Sequence, residues 1–380
     1  MLINLVLVVC KVILQYFNRK ISYFRYNISR YMPAAKPQNL DWINSLRLIA
    51  LLAVIVLHVS AIPLGLYGHL DLNTWLTADF YNALVRFAVP VFVMITGALT
   101  LHREYELGAF LKKRLSRVVA PFIFWSLVYM WYSWYIEILV FTGDWWTNVK
   151  MVLHQLKYSA SYHLWYVYML IGLYFVIPVI SIFVRNATRR QLEYFLAMWI
   201  IAMLITQPGL SRFNPQVDIH YFSGYAGYLV LGHYLTFHVN YSRKLVWCMW
   251  LMFFSLLLII TIATYLLYKY TTLGTLFYEP LGPPIVLLAS SVFLLGRFSR
   301  VQLPPLVLKV KNFACEYNYG IYLCHALILY FLDDPFGISF KLCTPILSIP
   351  VTAIICFILS LLLVWLLSRL PVIGKWLAGL

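Results

Sequence analysis

The sequence predicts an all-α integral membrane protein of about ten transmembrane helices with both termini in the cytoplasm. Three observations carry this expectation. Of 380 residues, 63% are hydrophobic and 11% charged, and the mean hydropathy of +0.81 lies outside the range of soluble domains. Apolar runs of about 20 residues recur along the chain, the length a helix needs to cross a hydrocarbon core; barrel strands would be shorter and would alternate in polarity. Finally, Lys and Arg are rich and poor in successive connections, the pattern that orients helical membrane proteins.

In order, the runs give candidate spans at about 45–65, 80–101, 118–141, 163–184, 191–208, 222–238, 245–268, 280–296, 314–333 and 345–368. The fifth and sixth are short enough to be tilted, broken or re-entrant. Before and into the first span stand Lys11, Arg19, Lys20, Arg25, Arg30, Lys36 and Arg47, whereas residues 66–79 hold no Lys or Arg. Arg103, Lys112, Lys113, Arg114 and Arg117 follow the second span, and only Lys150 and Lys157 follow the third. The alternation continues to Arg369 and Lys375, so the positive-inside rule places both ends in the cytoplasm. The domain organisation is a cytoplasmic segment 1–39, a ten-helix membrane domain 40–370 and a cytoplasmic tail 371–380.

Most of the net charge of +16 is therefore topology signal facing anionic lipid, and no nucleic-acid partner is read from it. The first 17 residues are apolar but interrupted by Lys11, and they lack the basic start and small-residue cleavage site of a signal peptide. They read as an interfacial helix, with an eleventh span as the weaker option. The six cysteines show no metal-ligand spacing and are expected to form no disulfide. No Walker A loop, dinucleotide fingerprint or HExxH is present, and no metal site is expected.

Ionisable groups inside the spans are the candidates for chemistry, because each is costly in hydrocarbon unless it is compensated. In NSLRLIALLAVIVLH, Arg47 and His58 are eleven residues apart, so they share a helix face about 16 Å apart along the axis. An anchoring Arg and a packing His would also fit that helix. Depth counting sets His58, Arg86 and His325 at one level, in the outer half of the membrane. Pro90, four residues beyond Arg86, should kink or loosen the second span, and Thr96-Gly97-Ala98 permits close helix contact. Arg114 and Arg117 neighbour each other at a helix entrance, which suits a topology signal or a phosphate site. His163-Leu164-Trp165-Tyr166 reads as interfacial anchoring, while the aromatic residues Trp145, Trp146, Tyr158, Tyr162, Tyr221, Tyr225 and Tyr228 would equally suit sugar stacking.

Taken together, the chain resembles the membrane acyltransferases of family three, which O-acylate bacterial cell-envelope glycans. The resemblance runs from Leu40 to the tenth span. It rests on Arg47-x10-His58, RFAVPVFVMITG, Arg114-x-x-Arg117 followed by Pro121, HLWYVYMLIGLYFVIP, and YGIYLCH ending at His325. It looks like the stand-alone type, similar to the enterobacterial common antigen O-acetyltransferase. Two places depart from the family pattern: Asn44 and Leu48 stand where D-x-L-R-G has Asp and Gly, and Thr96-Gly97-Ala98 replaces Ser-Gly-Tyr. Asp41, one turn before Asn44, is a candidate for the missing carboxylate.

The resemblance implies an enzyme of the bacterial inner membrane that moves an acetyl or other short acyl group from cytoplasmic acyl-CoA to a hydroxyl. The implied acceptor is an envelope polysaccharide or lipid-linked glycan, and membrane lipids are the remaining partners. Acetyl-CoA would be the co-substrate, with Arg47, Arg114 and Arg117 contacting its phosphates. His58 would be a general base or a transient acyl carrier. Arg86 would stabilise an oxyanion or bind an acceptor phosphate, and His325 would be a second proton-transfer group or a structural partner. A transporter or flippase for a lipid-linked sugar or anionic solute is the rival reading, since it would use the same intramembrane Arg and His residues; no internal repeat of the kind common in such folds is visible.

Overall fold

The computed structural model describes residues 41–208 and 224–380. The expected amino-terminal segment, its interfacial helix and the first residues of the sixth span lie outside those ranges. The described residues contain helices and no strand. In chain order the helices are α1 (Asp41–Leu64), α2 (Leu72–Val85), α3 (Ala88–Thr100), α4 (Leu107–Tyr135), α5 (Trp145–Tyr158), α6 (Trp165–Asn186) and α7 (Arg189–Ile205). They continue as α8 (Ala226–Phe237), α9 (Arg243–Tyr270), α10 (Pro283–Phe298), α11 (Pro305–Glu316), α12 (Asn318–Asp333), α13 (Pro345–Ser368) and α14 (Gly374–Leu377). Short 3-10 turns at Tyr162–Leu164 and Leu276–Tyr278 lead towards α6 and α10.

Seven segments among the described residues are long and apolar enough to cross a membrane: Asp41–Leu64, Leu72–Thr100, Leu107–Tyr135, Tyr162–Asn186, Arg243–Tyr270, Leu276–Phe298 and Pro345–Ser368. The other three expected spans correspond to α7, α8 and α12, of 17, 12 and 16 residues. At 1.5 Å per residue α8 is only about 18 Å long, short of the ~30 Å hydrocarbon core. The connection at 142–162 carries α5. Its start is set by Asp144, whose carboxylate accepts from the Thr147 N–H at 2.8 Å, as an N-cap does. None of its residues is buried.

The second span begins at Leu72, earlier than the run from residue 80 suggested, and it is broken. α2 ends at Val85 and α3 begins at Ala88. Pro90 lies four residues after Arg86, so it offers the Arg86 carbonyl no N–H and its ring crowds that carbonyl. The Arg86 N–H turns back to Ala83 O at 3.4 Å, a tighter turn of the 3-10 kind.

Packing around this broken helix rests on glycine. A Cβ on Gly97 would lie 2.0 Å from the Leu229 carbonyl oxygen, and one on Gly232 2.1 Å from the Met94 carbonyl oxygen. α3 and α8 thus cross backbone to backbone at two facing glycines, as small residues permit in membranes. α9 lies at the rim with only Leu257, Ile260 and Thr264 buried. α1 is the opposite case, with buried residues from Ile43 to Leu64 on more than one face, and it carries both Arg47 and His58 through the interior.

Candidate active site

At one end of α1, three imidazoles converge. His58 and His325 stack with centroids 5.2 Å apart at 27°. His163 meets His325 edge-on at 4.9 Å and 74°, and lies 6.3 Å from His58. Tyr162 packs edge-on to His58 at 4.9 Å. His163 and His325 are fully buried, whereas His58 keeps partial access. His58 and His325, expected at one level of the membrane, are in ring contact.

The backbone around His325 is held from two neighbouring elements. The Tyr129 hydroxyl, from α4, donates to Leu323 O at 2.9 Å and accepts from the Leu327 N–H at 3.0 Å. Those two groups are the i and i+4 partners of one helical turn, so the hydroxyl inserts into the ladder beside His325. His163 Nε2 also lies 3.3 Å from Leu323 O, and the Tyr322 hydroxyl donates to the His163 carbonyl. His325 Nδ1 donates to Tyr322 O at 2.6 Å. Its Nε2 is buried with no partner among the described residues, an unusual state for a buried polar atom.

Arg86 is not in this ring cluster. Its guanidinium lies 4.1 Å over the face of Tyr278, a cation–π contact, while the Tyr278 hydroxyl donates to the buried Asp79 carboxylate. Arg86 Nε, Asp79 Oδ2 and Asn82 Oδ1 are buried without partners among the described residues. Arg86 remains within electrostatic reach of His58. Arg86 follows the 14 residues of α2, about 21 Å of helical rise from Leu72. The same boundary hid Asp79, which a span starting at residue 80 leaves in the loop.

At the other end of α1, Arg47 and Arg114 lie within electrostatic reach of each other and of Tyr174. The Arg114 guanidinium lies 5.9 Å from the Tyr174 ring and 5.7 Å from Phe110. Neither arginine forms an ion pair among the described residues. Arg117 is exposed and does not join them. α1 is anchored here by Asn318, whose amide donates to Arg47 O at 3.3 Å.

A series of tyrosines joins the two ends. Tyr174 and Tyr166 share one face of α6, eight residues apart. Tyr166 packs against Tyr322 at 5.1 Å, and Tyr322 against His325 at 5.6 Å. Tyr319, one turn before Tyr322 on α12, donates to Val118 O at 2.9 Å. Sequence reasoning missed His163 and Tyr129 as site residues. His163 had one usable signal, since it stands at the start of the fourth span on the same side as His58; Tyr129 had none, because its partners are backbone atoms of another helix.

A bundle of apolar helices with a buried imidazole cluster at one end and paired arginines at the other defines a multi-pass membrane protein with an internal site. The family model for acyltransferase family 3, described as an acyltransferase domain, matches residues 40–369. The chain belongs to that family and is a membrane acyltransferase. No curated protein and no solved structure matches it.

Proposed function

We propose that the protein is a membrane O-acyltransferase that moves an acetyl or other short acyl group from cytoplasmic acyl-CoA to a hydroxyl of an envelope polysaccharide or lipid-linked glycan. In this reading it crosses the bacterial inner membrane ten times, α7, α8 and α12 completing the set, with both termini cytoplasmic. The observation that carries the proposal is the two-ended site on α1. Arg47 and Arg114 form no ion pair among the described residues, so their charge suits the phosphates of acyl-CoA. The tyrosine series leads from them to His58, the accessible imidazole of the cluster.

His58 takes the proton of the acceptor hydroxyl as its oxygen bonds to the acyl carbon. The carbon–sulfur bond breaks, and the thiolate leaves to be protonated by solvent. Arg86, within electrostatic reach of His58, supports the negative charge that develops on the acyl oxygen. Arg117, exposed and apart from Arg47, assists the approach of the nucleotide rather than its final placement.

The test is to incubate membranes with and without the protein with radiolabelled acetyl-CoA and, in parallel, longer acyl-CoAs. Protein-dependent label in the glycolipid or polysaccharide fraction, released by mild base as expected of an ester, supports the reading. Folded protein that transfers no label from any donor overturns it and favours transport.

A further inference from the structure

We propose that His163 is a positioning residue that holds His325 in one tautomer and one orientation, with the Nε2 lone pair presented beside His58. The inference rests on the acyltransferase reading for its chemistry and on hydrogen-bond geometry for its structure.

Both ring nitrogens of His163 are engaged. Nε2 faces Leu323 O at 3.3 Å and Nδ1 faces Ser161 Oγ at 3.2 Å. A carbonyl oxygen can only accept, so Nε2 carries the hydrogen and Nδ1 accepts from the Ser161 hydroxyl. With both nitrogens committed, His163 has no free lone pair for substrate. Its buried ring is instead a wall against His325, edge-on at 4.9 Å.

The same contact fixes the turn on which His325 sits. Leu323 O is taken by His163 and by the Tyr129 hydroxyl, and the Leu327 N–H is taken by that hydroxyl as well. Residues 323 and 327 bracket His325, so the clamp grips its turn at both ends. On that turn Nδ1 donates to Tyr322 O at 2.6 Å, which places the hydrogen on Nδ1 and leaves Nε2 as an acceptor. Nε2 is the one buried imidazole nitrogen of the cluster without a partner among the described residues, next to the stacked His58. His325 in this state can receive a hydrogen bond from His58 or from the acceptor hydroxyl; in the other tautomer it would lose the Tyr322 contact and present a hydrogen instead.

The experiment uses the full chain in lipid nanodiscs with nitrogen-15-labelled histidine. In the wild type, the signals lost in His325→Gln are expected to report a protonated Nδ1 and an unprotonated Nε2. His163→Ala is expected to replace them with a tautomer mixture and to lower turnover tenfold or more, with the KM for the acyl donor unchanged. His163→Gln keeps an N–H for Leu323 O and is expected to restore both. Wild-type tautomer and turnover in His163→Ala overturn the proposal. So does His163→Gln that keeps the tautomer but is as inactive as His163→Ala, since His163 would then be a proton-transfer group itself. If His163→Ala does not fold, Tyr129→Phe opens the other half of the clamp and must disturb the same signals; unchanged signals overturn the proposal. The spectra need neither donor nor acceptor, so an inactive wild type refutes the proposed function while leaving the tautomer assignment readable.

Discussion

The imidazoles of His58, on α1, and His325, on α12, lie 5.2 Å apart and 27° from parallel, although almost the whole membrane domain separates them in the chain. Stacked rings in apolar surroundings gain about 0.5–1.5 kcal/mol beyond area burial, so the contact helps define how α1 sits against α12. Replacing His325 with Phe should keep the stack and the fold while removing the Nε2 lone pair. Unfolding temperature is expected to stay within a few degrees of wild type while acyl transfer falls at least tenfold; both are read on the same purified protein.

Arg47 and Arg114 form the cationic end of the site, and Arg117 stands apart from it. A charge-assisted hydrogen bond is worth about 1.5–3 kcal/mol, or roughly ten- to hundredfold in affinity. Arg114→Ala is therefore expected to raise the KM for acyl-CoA about tenfold or more. Arg117→Ala should change it by less than about threefold at physiological salt, since exposed charges contribute little. Equal effects of the two variants would contradict the separation seen in the structure.

Gly97 is irreplaceable for packing. Its added Cβ would collide with the Leu229 backbone, at 2.0 Å from the oxygen and 2.6 Å from Cα, so neither helix can relieve it by moving a side chain. Gly97→Ala is expected to destabilise the protein by about 1–3 kcal/mol or more. Gly172→Ala, where nothing lies within 4 Å, should be neutral or slightly stabilising, because alanine loses less backbone freedom in a helix. Thermal unfolding of both variants in one detergent provides the comparison.

Tyr278 holds Asp79 through its hydroxyl and Arg86 over its ring. Tyr278→Phe keeps the ring face but leaves the buried carboxylate without that donor, at a cost of about 1–3 kcal/mol. Adding Asp79→Asn to it replaces the carboxylate that has lost its donor with a neutral amide and should recover part of the loss. A double-mutant cycle by chemical denaturation reads the coupling; strict additivity would mean that the two side chains act independently.

The helical class, the long spans and the level of His58 with His325 were legible in the chain, because each is carried by local hydropathy and by counting residues. Pro90 likewise marked the break before α3. The second span was begun too late, since the start of α2 at Leu72 is less apolar than the run that follows. Asp79 was lost for the same reason. α5 leaves no span-length apolar run in the chain, because its apolar and polar residues are mixed. The Tyr129 clamp was invisible in principle: a phenol bridging two backbone atoms of a distant helix leaves no pattern in either segment.

In the proposed reaction His58 accepts the proton of the acceptor hydroxyl at the tyrosine-linked end of α1. Its most direct test is the transfer of label from radiolabelled acetyl-CoA into the envelope glycan fraction by membranes holding equal amounts of wild-type or His58→Ala protein, each shown to be folded. Protein-dependent label is expected with the wild type and none above background with His58→Ala. Transfer by His58→Ala at the wild-type rate would contradict it.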